Sequence, residues 1–188
     1  MKKYDLVLLL DHEVKKEERE KFLSEFEALL KSKVLEKDEI GLLDLVYELN
    51  EKKGKDRAYF LSYYVELDNE TLELIKKTLL YNKLVLRYKI FVMDKSQKFF
   101  KYADLVKKME DEIESRGTQR FGQKVRFFAS KHNAQYLNWK AVPMLKKYIT
   151  RFGDIKPRIY TSNTISRQKK LRKCIIRWRE LGLLEYIR

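Results

Sequence analysis

Lys169, Arg172, Lys173 and Arg177 recur at spacings that gather cations on one side of a helix. Set Leu171 at zero on a wheel of roughly 100° per residue. Cys174, Ile175, Trp178 and Leu181 then cluster with it, and the four cations spread across the opposite side. Just upstream, Lys156 and Arg158 flank Pro157, which stiffens the loop that presents them. Cations at this density, beside aromatic residues, suit a phosphate backbone. A charge run is ordinarily a solvated helix surface, but almost no acid interrupts this one. A membrane surface is the other partner of basic amphipathic helices. The apolar stripe here is too narrow to serve both packing and a bilayer. Ile176 lies about 140° from Leu171, among the cations, and has no evident role.

The charge asymmetry extends through the last third of the chain. Residues 121–188 carry 17 Lys and Arg against three acids, Asp154, Glu180 and Glu185, whereas residues 1–120 carry 25 of each sign. The whole net charge of +14 therefore belongs to the C-terminal part, a signature of contact with nucleic acid or membrane. Catalytic chemistry finds little support. His12 and His132 are the only histidines, and neither has a nucleophile or a metal-spaced partner nearby. Cys174 falls on the apolar stripe and reads as packing. As the single cysteine it excludes an internal disulfide and fits a reducing, cytoplasmic compartment. The short leucine run after Lys2 and Lys3 is closed by Asp11 and His12, too soon for a signal peptide. No apolar run approaches the roughly 20 residues that span a membrane.

Elements must position these cations. Tyr4–Leu10 reads as a buried strand and residues 15–30 as a helix with Phe22, Leu23, Phe26, Leu29 and Leu30 at helical spacing. Leu42–Leu49 reads as a strand, residues 51–56 as a hairpin connection centred on Gly54, and Tyr59–Leu67 as the strongest strand. Asp68 or Asn69 caps a helix whose apolar face is Leu72, Ile75 and Leu79, and Val85–Met93 closes the series. The order β-α-β-β-α-β is the split βαβ of ferredoxin-like folds. Residues 98–114 form an amphipathic helix through Phe99, Tyr102, Val106, Met109 and Ile113, ending near Gly117. Residues 122–136 are aromatic, basic and aperiodic. Trp139–Ile149 is helical, 151–163 an extended loop, and a last helix runs from a cap at Ser162, Asn163 or Thr164 to Leu181, with Gly182 at C′. The expected fold is α+β: a ferredoxin-like domain over 1–95, a connecting helix and linker over 96–121, and a small basic all-α domain over 122–188.

The residues from Trp139 to Tyr186 resemble the bacterial small-subunit ribosomal protein eighteen family. The resemblance is carried by Trp139-Lys140, Leu145-Lys146-Lys147-Tyr148-Ile149 and Gly153-Asp154-Ile155-Lys156-Pro157-Arg158. It continues through Thr161, Gln168-Lys169, Leu171, Ile175, Arg177, Arg179 and Leu183-Leu184-Glu185-Tyr186. Ile159, Ser162, Ile176 and Glu185 depart from the family pattern. The front of the chain is similar to the ribosomal protein six family through Lys2-Lys3-Tyr4-Asp5, Gly41 to Tyr47, Tyr59-Phe60-Leu61 and Val85-Leu86-Arg87-Tyr88. Leu42, Leu43 and Glu48 depart from that pattern.

The two resemblances imply a ribosomal, rRNA-binding protein rather than an enzyme. It would join two partners of the small-subunit platform in one chain, with contact between the modules, contacts to neighbouring ribosomal proteins and no cofactor. They imply phosphate contacts by Lys140, Lys146, Lys147, Lys156, Arg158, Lys169, Lys173, Arg177 and Arg179, with Lys2, Lys3 and Arg87 as lesser ones. Tyr136, Trp139 and Tyr160 are the aromatics available for stacking on bases, Trp139 equally for a core. Some relatives of the second family carry clustered cysteines where Phe127, Phe128 and Ala129 stand here, so no zinc is expected. Two rival classes remain at this stage. One is a DNA-binding regulator with a ferredoxin-like sensing domain and a basic helical reader. The other is an RNA-modifying or phosphate-transferring enzyme, for which the chain offers no glycine-rich phosphate cradle.

Overall fold

A computed structural model describes residues 2–30, 33–49, 56–93, 97–115 and 125–186. The expected hairpin connection at Gly54 and the helix end at Gly117 lie outside these residues. The chain divides into two compact units, Met1–Phe99 and Phe100–Arg188.

The first unit is a four-stranded antiparallel sheet in the order β2-β3-β1-β4. Its elements are β1 (Lys2–Asp11), α1 (Lys16–Leu30), β2 (Val34–Asp44), β3 (Arg57–Leu67), α2 (Asn69–Tyr81) and β4 (Val85–Val92). This is the ferredoxin-like order expected. Period-two alternation sends Tyr4, Leu6, Leu8 and Leu10 of β1 and Leu61, Tyr63, Val65 and Leu67 of β3 to one face. There they pack against Phe22, Leu23, Phe26 and Leu30 of α1 and Ile75 and Leu79 of α2. Leu29, at the edge of the α1 stripe, is exposed. Asp68 is the N-cap of α2, accepting from the Thr71 backbone N–H at 3.0 Å. The hydrogen bonds from Thr71 and Lys33 hold its carboxyl well below the usual carboxylate range.

β2 corrects the sequence reading. It spans Val34–Asp44 rather than Leu42–Leu49. Its Glu36-Lys37-Asp38-Glu39 run resembles a loop, yet an edge strand keeps much of its side-chain surface in water and tolerates charge. Lys37 lies 2.9 Å from Glu27 and 2.7 Å from Glu39. The ladder shifts register between Glu39 and Gly41, a bulge that bends this edge.

The second unit consists of α3 (Tyr102–Ser115), 3₁₀ turns at Phe127–Ala129 and Asn133–Tyr136, α4 (Val142–Lys146), α5 (Arg158–Thr161) and α6 (Ile165–Glu180). Its core joins Leu105 and Met109 of α3 to Phe127, Phe128, Leu145, Tyr148 and the α6 stripe of Leu171, Cys174, Ile175 and Trp178. Phe99 lies outside α3 and stacks on Tyr64 of the first unit, centroids 5.3 Å apart. Leu105, not counted in the expected stripe, takes a core position instead. The aperiodic segment near Phe128 is also core: the Phe128 backbone N–H donates to the buried Tyr148 hydroxyl at 2.9 Å. The helix expected over Trp139–Ile149 is only five residues long, because the chain from Tyr136 to Ala141 closes in tight turns before Pro143 starts it. The expected extended loop contains α5, a single turn begun after Pro157 and ended by Ser162 at φ 52°.

Candidate nucleic-acid interface

The cationic face is built on α6, and both its ends are fixed by local chemistry. Thr164 caps the start, its hydroxyl accepting from the Arg167 N–H at 3.4 Å. At the other end Gly182 adopts φ 80°. Its N–H donates to the Arg179 carbonyl at 3.0 Å and that of Leu183 to Trp178 at 3.3 Å, the paired bonds of a Schellman cap. Between these caps Leu171, Cys174, Ile175 and Trp178 are buried while Lys169, Lys170, Arg172, Lys173 and Ile176 reach solvent. Lys169, Arg172, Lys173 and Ile176 follow one another at steps of three, one and three, so they share one exposed side of the helix.

A basic loop is tied to this helix through Gln168, whose role the sequence did not single out. Its Oε1 accepts from the Thr161 hydroxyl at 2.9 Å and from Asn163 Nδ2 at 3.1 Å. Its Nε2 donates to the Lys156 carbonyl at 2.9 Å. One side chain thereby secures the segment that presents Lys156 and Arg158. Arg158 is exposed and uses Nε to donate to the Asn163 carbonyl at 3.1 Å, one of its five N–H donors. Proximity to Asn163 and Thr161 marks Gln168 only once the loop is folded back, so the sequence, where it stands only as part of the family resemblance, gave it no role.

The remaining expected contacts separate by burial. Lys146 and Lys147 are exposed at the end of α4, and Lys156 is half-buried. Lys140 corrects the reading: it is fully buried and its Nζ donates to the Phe100 carbonyl at 3.1 Å. Its neighbours Asn138, Trp139 and Ala141 are buried too, so the side chain has no route to solvent and meets a backbone acceptor instead. Arg177 and Arg179 are half-buried, and Arg179 donates to the Gly153 carbonyl. Arg167 bonds the Ala129 carbonyl in the same manner. These last arginines brace the second unit as well as charging it. In the first unit Lys2 is exposed, Lys3 is half-buried over the Tyr64 ring at 5.7 Å, and Arg87 donates to the Tyr47 hydroxyl at 3.1 Å.

Among the aromatics, Trp139 is fully buried and Tyr136 nearly so, its hydroxyl 2.6 Å from Lys108 Nζ. Both belong to the interior, which removes them from base stacking. Tyr160 is exposed. Burial pushes the Cys174 thiol up to about 12, against the opposing pull of Arg177 and Lys170. That group is packing, as its place on the stripe implied. Among the described residues no group of His, Cys, Asp and Glu has the arrangement of a metal site, and no helix is long and apolar enough to cross a membrane.

Fold and site define a two-module α+β protein, a ferredoxin-like module followed by a basic helical one. The sequence model of the family described as Ribosomal protein S6 matches residues 3–92, and that of Ribosomal protein S18 matches residues 133–184. Small ribosomal subunit protein bS18 of Mycoplasma capricolum is 40% identical over 65 residues, covering 35% of this chain and 85% of the relative. Small ribosomal subunit protein bS6 of Mycoplasma mycoides is 30% identical over 89 residues, covering 46% of this chain and 61% of the relative. A solved ribosomal protein S6 from Thermotoga maritima superposes with a TM-score of 0.44 at 16% identity, over 59% of this chain and 96% of its own. The chain belongs to the ribosomal protein S18 family over its C-terminal module, and its N-terminal module is similar to ribosomal protein S6.

Proposed function

We propose that this protein is a structural constituent of the bacterial small ribosomal subunit, working in the cytoplasm and binding the central domain of the 16S rRNA at the platform. In it two normally separate partners share one chain. The observation that carries this reading is the exposed face of α6, where Lys169, Arg172 and Lys173 stand together in the module related to ribosomal protein S18. Lys146, Lys147, Lys156 and Arg158 extend the same charge on neighbouring segments of that unit. The relatives' names as small-subunit proteins support the assignment. Both families are structural rather than enzymatic, and nothing in the comparisons supports the DNA-regulator alternative. Sharing a chain turns the association of two modules into an intramolecular event, with effective concentrations on the order of millimolar.

The test is competition between a central-domain fragment of small-subunit rRNA and an unrelated structured RNA of equal length at near-physiological salt. Clear preference for the rRNA fragment is expected. Equal, salt-sensitive binding to both would reduce the reading to a generic basic protein. Replacing Lys169, Arg172 and Lys173 together with Ala should lower the slope of log affinity against log salt by roughly 2–3. An unchanged slope would make those cations ordinary surface charge.

A further inference from the structure

Resting on the RNA-binding reading above, we propose that Phe152 is a stacking platform for an unpaired nucleobase, presented at the tip of a rigid turn over Thr150–Asp154. The Phe152 ring sits at the turn tip with 56% of its surface in water. Here the ring is also held in place.

Five backbone or hydroxyl contacts fix the turn. Ile149 and Ile155 pair across its base as an antiparallel bridge. The Thr150 N–H donates to the Asp154 carbonyl at 2.8 Å, and the Gly153 N–H to the Thr150 carbonyl at 3.1 Å. The Thr150 hydroxyl accepts from the Phe152 N–H at 3.3 Å and from the Asp154 N–H at 3.1 Å. Gly153 takes φ 89°, which a side chain would resist. Its carbonyl is gripped by the Arg179 guanidinium reaching from α6. The turn is therefore anchored to the helix that carries the cationic face.

Above this frame the Arg151 guanidinium lies over the Phe152 ring, 4.6 Å from its centroid. A cation over one ring restricts the side chain's orientation before any ligand arrives. What such a ring recognises follows from the local charge. Arg151 and the exposed Asp154 offset one another within the same turn, so its tip does not attract phosphate by itself. It offers a π-face, and every nucleobase has one. Lys146 and Lys147 precede the turn and Lys156 and Arg158 follow it, so a strand held by those cations passes close to the ring. A duplex hides its base faces. The partner is an unpaired base in a loop, bulge or single-stranded segment of RNA.

The experiment uses the full chain and the same central-domain rRNA fragment, with Phe152→Ala, Phe152→Leu and Phe152→Trp. Loss of a base stack should weaken binding roughly 5- to 100-fold in the Ala and Leu variants while leaving the salt slope unchanged. Phe152→Trp should keep the affinity, and its indole fluorescence should be quenched on adding RNA, against the constant background of Trp139 and Trp178. Unaltered thermal melting of the free proteins checks that the exposed position is not needed for folding. If Phe152→Leu binds like the parent, the ring makes a plain apolar contact and the stacking site is wrong. If all three variants bind like the parent while the parent still prefers rRNA, the site is overturned and the RNA reading stands. A parent chain without preference for the rRNA fragment overturns both.

Discussion

Replacing Lys140 with Ala removes a fully buried side chain whose Nζ donates to the Phe100 carbonyl and lies 5.7 Å from the Trp139 ring centroid. The loss should cost on the order of 2 kcal/mol, because packing disappears and the Phe100 carbonyl loses a donor. Chemical denaturation of the full chain measures it, and the salt slope of RNA binding should not change. A lysine inside a basic sequence reads as surface charge unless its neighbours reveal otherwise. Trp139 and Ala141 are themselves interior, but the helix expected over Trp139–Ile149 starts only at Val142, so helical spacing could not place them. Cys174 is the opposite case, since its place on the helical stripe announced its burial. Its thiol, pushed up to about 12 by that burial, should react with a disulfide reagent at pH 8 at least about 100-fold more slowly in the folded chain than in denaturant. The folded state keeps this proton at a pH where the unfolded state has begun to lose it. The contribution to stability is intact below the ordinary thiol value of about 8.5 and declines as pH rises from there toward 12.

Gln168 sets the scale of the element, because one amide ties the loop around α5 to the first turns of α6. Gln168→Ala should destabilise the second unit by roughly 2 kcal/mol, leaving the buried Thr161 and Asn163 without this partner. It should also weaken RNA binding by freeing the segment that carries Lys156 and Arg158. Gln168→Glu, which keeps the acceptor and loses the Nε2 donor to Lys156, should fall between the two in a thermal melt. At the ends of α6, Thr164→Ala should cost about 1 kcal/mol. Gly182→Ala should cost about 1–2 kcal/mol, since φ 80° places a Cβ against the following carbonyl. Those caps were legible because capping depends on the residue itself and a few neighbours. β2 was not legible, since an edge strand of alternating charge has the composition of a loop, and only pairing with Arg57–Leu67 reveals it. The amphipathic stripe of α3 was evident, but periodicity does not say which residues a core will take; Leu105 entered it and Phe99 did not.

At the scale of the molecule, charge is distributed by unit, and so should be the response to salt. Replacing Lys2, Lys3 and Arg87 together with Ala should leave the log–log slope within about one of the parent. Lys3 already lies over Tyr64, and Arg87 already bonds Tyr47. A fall as large as that from the α6 variant would show the first unit to be an equal partner in RNA binding. The α+β order was readable from the charge-bounded apolar run of β1, the aromatic and branched residues of β3 and the Asp68 cap. The cationic face of α6 was readable from a wheel. The bracing of Arg167 and Arg179 was not, because their carbonyl partners on Ala129 and Gly153 come from distant turns. The central position of β1 has one more consequence, in time rather than in space. Leu8 pairs with Leu61 on one side and Tyr88 on the other. During synthesis this most apolar strand is made before either neighbour, gains β3 on one side, and keeps its other edge open and aggregation-prone until β4 is made. The basic module emerges only after that sheet has had the chance to close.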